Sequence, residues 1–119
     1  MATKSAKTLD EAAAVLEKIA AMPAPYNAMG RVIHDIILAS SPALKPKVWY
    51  GMPGYAGAGP VLCFFRVDGD LMTFGLTEKA SHAVEDGAGD RLMASAWFFR
   101  ELDDATEKRI GEIVRRAVG

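Results

Sequence analysis

In 119 residues the chain has one cysteine and two histidines, and no long apolar run. Cys63 cannot form an intramolecular disulfide, and it falls short of the two thiols that even a CxxC site needs. His34 and His82 fall on separate predicted helices, which argues against a His-rich transition-metal centre. No stretch of about 18 apolar residues is present, so no membrane span is expected. The opening MATKSAKT is followed by no apolar segment of the secretory kind, and the expectation is a cytoplasmic protein. Positive charge is not in excess either. Fourteen Lys and Arg stand against fifteen Asp and Glu, a net charge of −1, which disfavours nucleic-acid binding through phosphate neutralisation. The phosphate-loop ending GK[ST] is missing. Gly54, Gly57 and Gly59 reverse the dinucleotide spacing, and no long helix follows them. With Gly51, they read as turns between short strands.

What is present suits a packed domain. Half the residues are hydrophobic and 24% are charged, enough for a core without disulfide or metal staples. One domain over residues 1–119 is expected, with residues 1–7 frayed. Thr8-Leu9-Asp10-Glu11 has the form of a capping box and predicts a helix to Ala21, with Leu9, Ala12, Ala13, Leu16, Ile19 and Ala20 on its apolar side. Pro23 and Pro25 end it. Asn27 is placed to cap a second helix, Ala28 to Ala39. Met29, Val32, Ile33, Ile36 and Ile37 keep helical spacing there, and Arg31 and Asp35 can pair four residues apart.

Beyond Lys45 the period changes. Lys47 to Tyr50 reads as a short strand, and Tyr55 begins another. Val61–Val67 and Asp70–Leu76 form a hairpin about Asp68-Gly69. That turn pairs Phe65 with Met72 and Cys63 with Phe74 on an apolar core side. Leu62, Phe64 and Leu71 fall on the other side, which must be covered or serve as a binding surface. Thr77 is expected to cap a short helix from Glu78 to Val84 or Glu85, closed by Gly87. Ala96 to Arg100 reads as a last strand, and Asp103 or Asp104 caps a final helix to about Val118. The order α-α-β-β-β-β-α-β-α predicts an α+β fold, a small antiparallel sheet of four to five strands with helices packed on it.

Few side chains point to chemistry. Cys63, on the core side between Val61 and Phe65, reads as an inert buried thiol. His34 reads as a surface histidine beside Asp35. His82 and Glu85 have the spacing of two ligands on one helical face, but they read as a solvated polar face near a helix end. Asp10, Glu11 and Glu17, and Glu101, Asp103, Asp104 and Glu107, lie near predicted helix starts, where negative charge is favoured. Asp10, Glu11, Glu17, Asp103, Asp104 and Glu107 also remain candidates for a weak oxygen-rich cation site. Trp49 and Tyr50, adjacent in a strand, are expected on opposite faces. One enters the core. The other, beside Met52-Pro53, becomes a wall of a pocket, so Trp49, Tyr50, Met52, Pro53 and Tyr55 form the candidate ligand site. No catalytic constellation emerges, and the chain reads as a non-enzyme.

The run Trp49-Tyr50-Gly51-Met52-Pro53-Gly54-Tyr55 resembles the W-x-G-M-P-x-Y-like segment of the bacterial YdhG-like domain-of-unknown-function family. The preceding ILASSPAL, the following hairpin VLCFFRVDGDLMTFGL and the terminal IVRRAV agree with it, so that the resemblance covers roughly residues 27–118. It implies a compact α+β domain. Some members are described as frataxin-like iron chaperones, which implies transient iron binding and delivery, here through the exposed carboxylates named above. The leading expectation is a small cytoplasmic binding protein for a small molecule or a protein, with no nucleic-acid or membrane partner. An iron chaperone is one alternative. A homodimer or interaction module using Leu62, Phe64 and Leu71 is the other.

Overall fold

The computed structural model describes residues 2–119, with side chains from Asp10 onward. The described residues form three helices and five strands: α1 Ala2–Ala20, α2 Tyr26–Ser40, β1 Lys45–Trp49, β2 Met52–Ala56, β3 Val61–Asp68, β4 Leu71–Leu76, β5 Ala96–Phe99 and α3 Asp104–Val118. The strands form one antiparallel meander in the order β1-β2-β3-β4-β5. The α+β fold read from the sequence is the fold of the chain. Among the described residues, no helix is long and apolar enough to cross a membrane.

The strands alternate their side chains apart from an irregularity at Leu62 in β3, and the helices cover one face only. Tyr55, Cys63, Phe65, Met72 and Phe74 point into that face and meet Val15 and Ile19 of α1, Ile33 and Ile37 of α2, and Ile110, Ile113 and Val114 of α3. Each such apolar side chain, fully buried, contributes about 1.5–3 kcal/mol. α1 lies over β1 and β2, and α2 packs between α1 and α3. The edge strand β1 carries Lys45, Pro46 and Lys47, residue types that discourage pairing with another chain.

Several local expectations are corrected. α1 begins six residues before Thr8, so the Thr8–Glu11 box is helix interior and not a cap. Its inward stripe is Val15 and Ile19, while Ala13 and Ala20 face outward. The fraying expected for residues 1–7 falls on Met1 and on side chains outside the described residues. α2 starts at Tyr26 after Pro25, without a side-chain cap. Asn27 Oδ1 instead accepts from the N–H of Ala28 at 2.8 Å.

The β3–β4 turn is Gly69-Asp70, one residue later than expected. Gly69 has φ +65° and Asp70 has negative φ, the pattern of a type II′ turn with glycine first. Phe65 therefore faces Phe74, Cys63 faces Leu76 and Val67 faces Met72. Each partner moves by two residues, an even shift that keeps Cys63, Phe65, Val67, Met72 and Phe74 on their predicted face, whereas Leu62, expected on the opposite side, packs against the core. The helix expected at Glu78–Glu85 does not form. After one turn closed by Ala80 N–H to Thr77 O at 3.1 Å, the chain runs irregularly to Ser95. At the last helix the expectation holds: Asp103 Oδ1 accepts from the N–H of Thr106 at 2.8 Å and caps α3.

Candidate functional site

The WYGMP segment is a tight hairpin. Trp49 pairs with Met52, leaving Tyr50-Gly51 as a two-residue loop. Both loop residues have positive φ, 51° and 77°, the type I′ pattern. Positive φ at Tyr50 cancels the strand alternation, so Trp49 and Tyr50 do not diverge. Their rings meet edge to face with centroids 4.7 Å apart, and Tyr50 is 84% exposed.

The five candidate ligand residues are thereby divided. Trp49, Tyr50 and Met52 stand at or beyond the sheet face that no helix covers. Pro53 and Tyr55 are buried on the core face. Tyr55 is a core residue bonded to His34, whose Nδ1 lies 2.8 Å from the phenolic oxygen. His34, expected at the surface, is only 5% exposed. Burial lowers its proton affinity, with Asp35 opposing and Arg31 adding to the effect. Burial likewise raises the Tyr55 phenol far above its ordinary range and pushes the Cys63 thiol up to about 12. Cys63 is thus the buried thiol that was expected, and it lies opposite Tyr55 in the β2–β3 ladder.

The carboxylates do not gather. Asp10, Glu11 and Glu17 lie in the middle and second half of α1, not at its start, so the helix-start explanation fails for them. It holds for Asp104 and Glu107 in the first turn of α3. Asp103 is engaged as the cap, and the N–H and hydroxyl of Thr106 hold its carboxyl below the usual range. His82 Nε2 lies 2.8 Å from Thr77 O, and Glu85 pairs with Arg109 at 3.6 Å. Among the described residues, no three His, Cys, Asp or Glu side chains come together as metal ligands.

The uncovered face carries a cleft. Trp49 and Phe64 stack across β1 and β3 at 5.1 Å, tilted by 39°. Two glycines make room beneath them. A Cβ on Gly54 would sit 2.8 Å from Trp49 Cβ, and one on Gly75 would sit 2.5 Å from Phe64 Cζ. Gly54 and Gly75 are therefore not turn residues but the floor under two rings.

A bulge in β3 builds the other wall. Tyr55 pairs with Cys63 and Ala56 with Val61, which leaves Leu62 unpaired in the β2–β3 ladder. Thr77 bonds to this stretch. Its hydroxyl donates to Val61 O at 2.6 Å and its N–H to Leu62 O at 2.9 Å. The irregular segment is also tied to α3, through Ser81 N–H to Ala117 O at 2.8 Å. Between this segment and the rings lies an open cleft of about 630 Å³, with Trp49 and Phe64 on one side and Glu78, His82, Met93 and Ser95 on the other.

Trp49 was legible as a candidate pocket wall, and Phe64 as part of the hairpin side that must be covered or bind. Glu78, Met93 and Ser95 were not, because a segment without periodicity gives no signal of where it folds back. No protein-family model, curated protein or solved structure matches the chain.

Proposed function

We propose that the chain is a small binding protein working in the cytoplasm, with the Trp49–Phe64 cleft as its ligand site. The observation that carries this reading is the cleft itself. Its volume lies within the range of small-molecule sites, and it combines apolar walls with a few polar groups. Tyr50 adds support: a large, exposed aromatic in a left-handed turn is a costly choice where Asn or Gly would serve. The single unpaired, buried thiol suits a reducing compartment. The WYGMP resemblance to YdhG-like domains coincides with the hairpin that presents Trp49. The iron-chaperone reading has less behind it, since the described carboxylates are dispersed or engaged in capping.

Two-dimensional NMR tests the cleft. The chain has two tryptophans, and Trp97 faces the helices, so its indole N–H is an internal control. Titration with 2-phenylethanol to millimolar concentrations should move the Trp49 indole signal and leave Trp97 in place. Equal movement of both, or of neither, would overturn the proposal.

A further inference from the structure

The polar groups of the cleft are unevenly chosen. Glu78 supplies a carboxylate, which only accepts. His82 is bound through Nε2 to Thr77 O. A carbonyl oxygen cannot donate, so Nε2 carries the hydrogen and Nδ1 of the neutral ring is an acceptor. The Thr77 hydroxyl proton is already given to Val61 O. The Ser95 hydroxyl is free to act either way, and the Trp49 indole N–H is the one side-chain group of the lining that can only donate.

Charge follows the same pattern. Among the described residues, no Lys or Arg lines the cleft. Lys47, on the same sheet face, and Lys79, next to Glu78 in the chain, are exposed and stand outside it. The ion pairs of the described residues are Arg31–Asp35, Arg100–Asp70 and Arg109–Glu85, and none engages Glu78. The apolar wall is made of aromatic faces, whose negative potential attracts cations.

Resting on the reading of this cleft as a binding site, we infer that its ligand is a small organic amine, an alkylammonium group joined to an apolar body. The ammonium supplies the N–H donors that the carboxylate and Nδ1 accept, and its charge is met by Glu78 and the faces of Trp49 and Phe64. The apolar body lies along Phe64 and Met93. A carboxylate or phosphate ligand would face a like charge at Glu78 and find no cationic side chain in the lining, only the neutral Ser95 hydroxyl and Trp49 indole N–H as side-chain donors.

Three probes of one shape test this: phenethylammonium, 2-phenylethanol and 3-phenylpropionate, each titrated at neutral pH while the Trp49 indole signal is followed. The ammonium should bind about tenfold more tightly than the alcohol, and the carboxylate most weakly. In Glu78→Gln the ammonium should fall to the level of the alcohol, with the Trp97 signal unmoved as proof of folding. If the alcohol or the carboxylate binds as tightly as the ammonium, the cation assignment is overturned while the cleft stands as a site. If none of the three moves Trp49, the cation assignment and the site both fall.

Discussion

His34 and Tyr55 share a 2.8 Å hydrogen bond inside the core, linking α2 to the middle of the sheet. The Tyr55 ring also stacks on Phe65 with centroids 6.1 Å apart. Tyr55→Phe keeps the ring and removes only the hydroxyl, so the imidazole Nδ1 is left buried without a partner. Such orphaned groups cost about 1–3 kcal/mol. Urea denaturation of the variant should show a loss in that range. An unchanged midpoint would mean that the pair carries no net stability.

The same histidine gives a pH dependence. Burial is the largest influence on His34 and favours its neutral form, so its folded pKa lies below the ordinary 6.5. Where the unfolded chain binds a proton that the folded chain refuses, stability rises with pH. The contribution is therefore complete above 6.5 and is lost as pH falls through the folded value. Urea midpoints measured from neutral pH downward should decline from about 6.5. In His34→Gln, which cannot titrate, that decline should flatten. A second loss belongs to Asp103, whose carboxyl is held low by Thr106. It sets in only under strongly acidic conditions, so the two slopes are separable.

Cys63 should behave as a core residue in solution. Burial pushes its thiol up to about 12, which leaves almost no thiolate at neutral pH. Reaction of the folded protein with a thiol reagent should be slower than that of the urea-unfolded chain by at least about a hundredfold. Rapid native-state labelling would contradict the placement of β3.

Tyr50 occupies a conformation that suits glycine or asparagine. Tyr50→Asn creates Asn-Gly, the favoured type I′ pair. It removes backbone strain of about 1–2 kcal/mol and gives up an edge contact with Trp49 of about 0.5–1.5 kcal/mol. Because Tyr50 is largely exposed, the contact lies at the low end of its range, and a net gain of about 0.5–1 kcal/mol is expected in thermal or urea melts. A net loss would show that the ring contact outweighs the strain.

The parts of the chain that were legible are those where periodicity decides. Ile33 and Ile37 of α2 and the inward residues of α3 and β4 follow from apolar spacing, although Val32, read on the same stripe of α2, is exposed, and Cys63 and Phe65 kept their face although the β3–β4 turn moved by one residue. Local turn chemistry was weaker evidence. Asp68-Gly69 and Gly69-Asp70 are both acceptable hairpin turns, and pairing along the strands chose between them. His34 shows a different limit. Its place beside Asp35 looked like surface, but helical geometry sets it one step from Ile33 and one turn from Ile37, and Tyr55 supplies the partner that makes burial tolerable. The far wall of the cleft was illegible because it depends on how the irregular segment is tied back through Thr77 to Val61 and Leu62 and through Ser81 to Ala117, and nothing in the sequence announces those ties.

The floor of the cleft makes the sharpest contrast. Gly54 and Gly75 are both buried strand glycines beneath a ring, yet alanine should be tolerated very differently. At Gly54 the new methyl would meet Trp49 Cβ at 2.8 Å and Lys47 O at 3.2 Å. Both atoms are fixed by the β1 backbone, so the β1–β2 pair must separate, a cost of about 1–3 kcal/mol. At Gly75 the clash at 2.5 Å is with Phe64 Cζ, the far end of a ring that can swing away about χ1. Gly75→Ala should therefore lose less stability than Gly54→Ala in urea melts. It should instead displace the Phe64 ring from Trp49, shifting the Trp49 indole signal and weakening binding of 2-phenylethanol. If Gly75→Ala proves the more destabilising of the two, Phe64 is held as rigidly as the backbone and the cleft is a closed extension of the core.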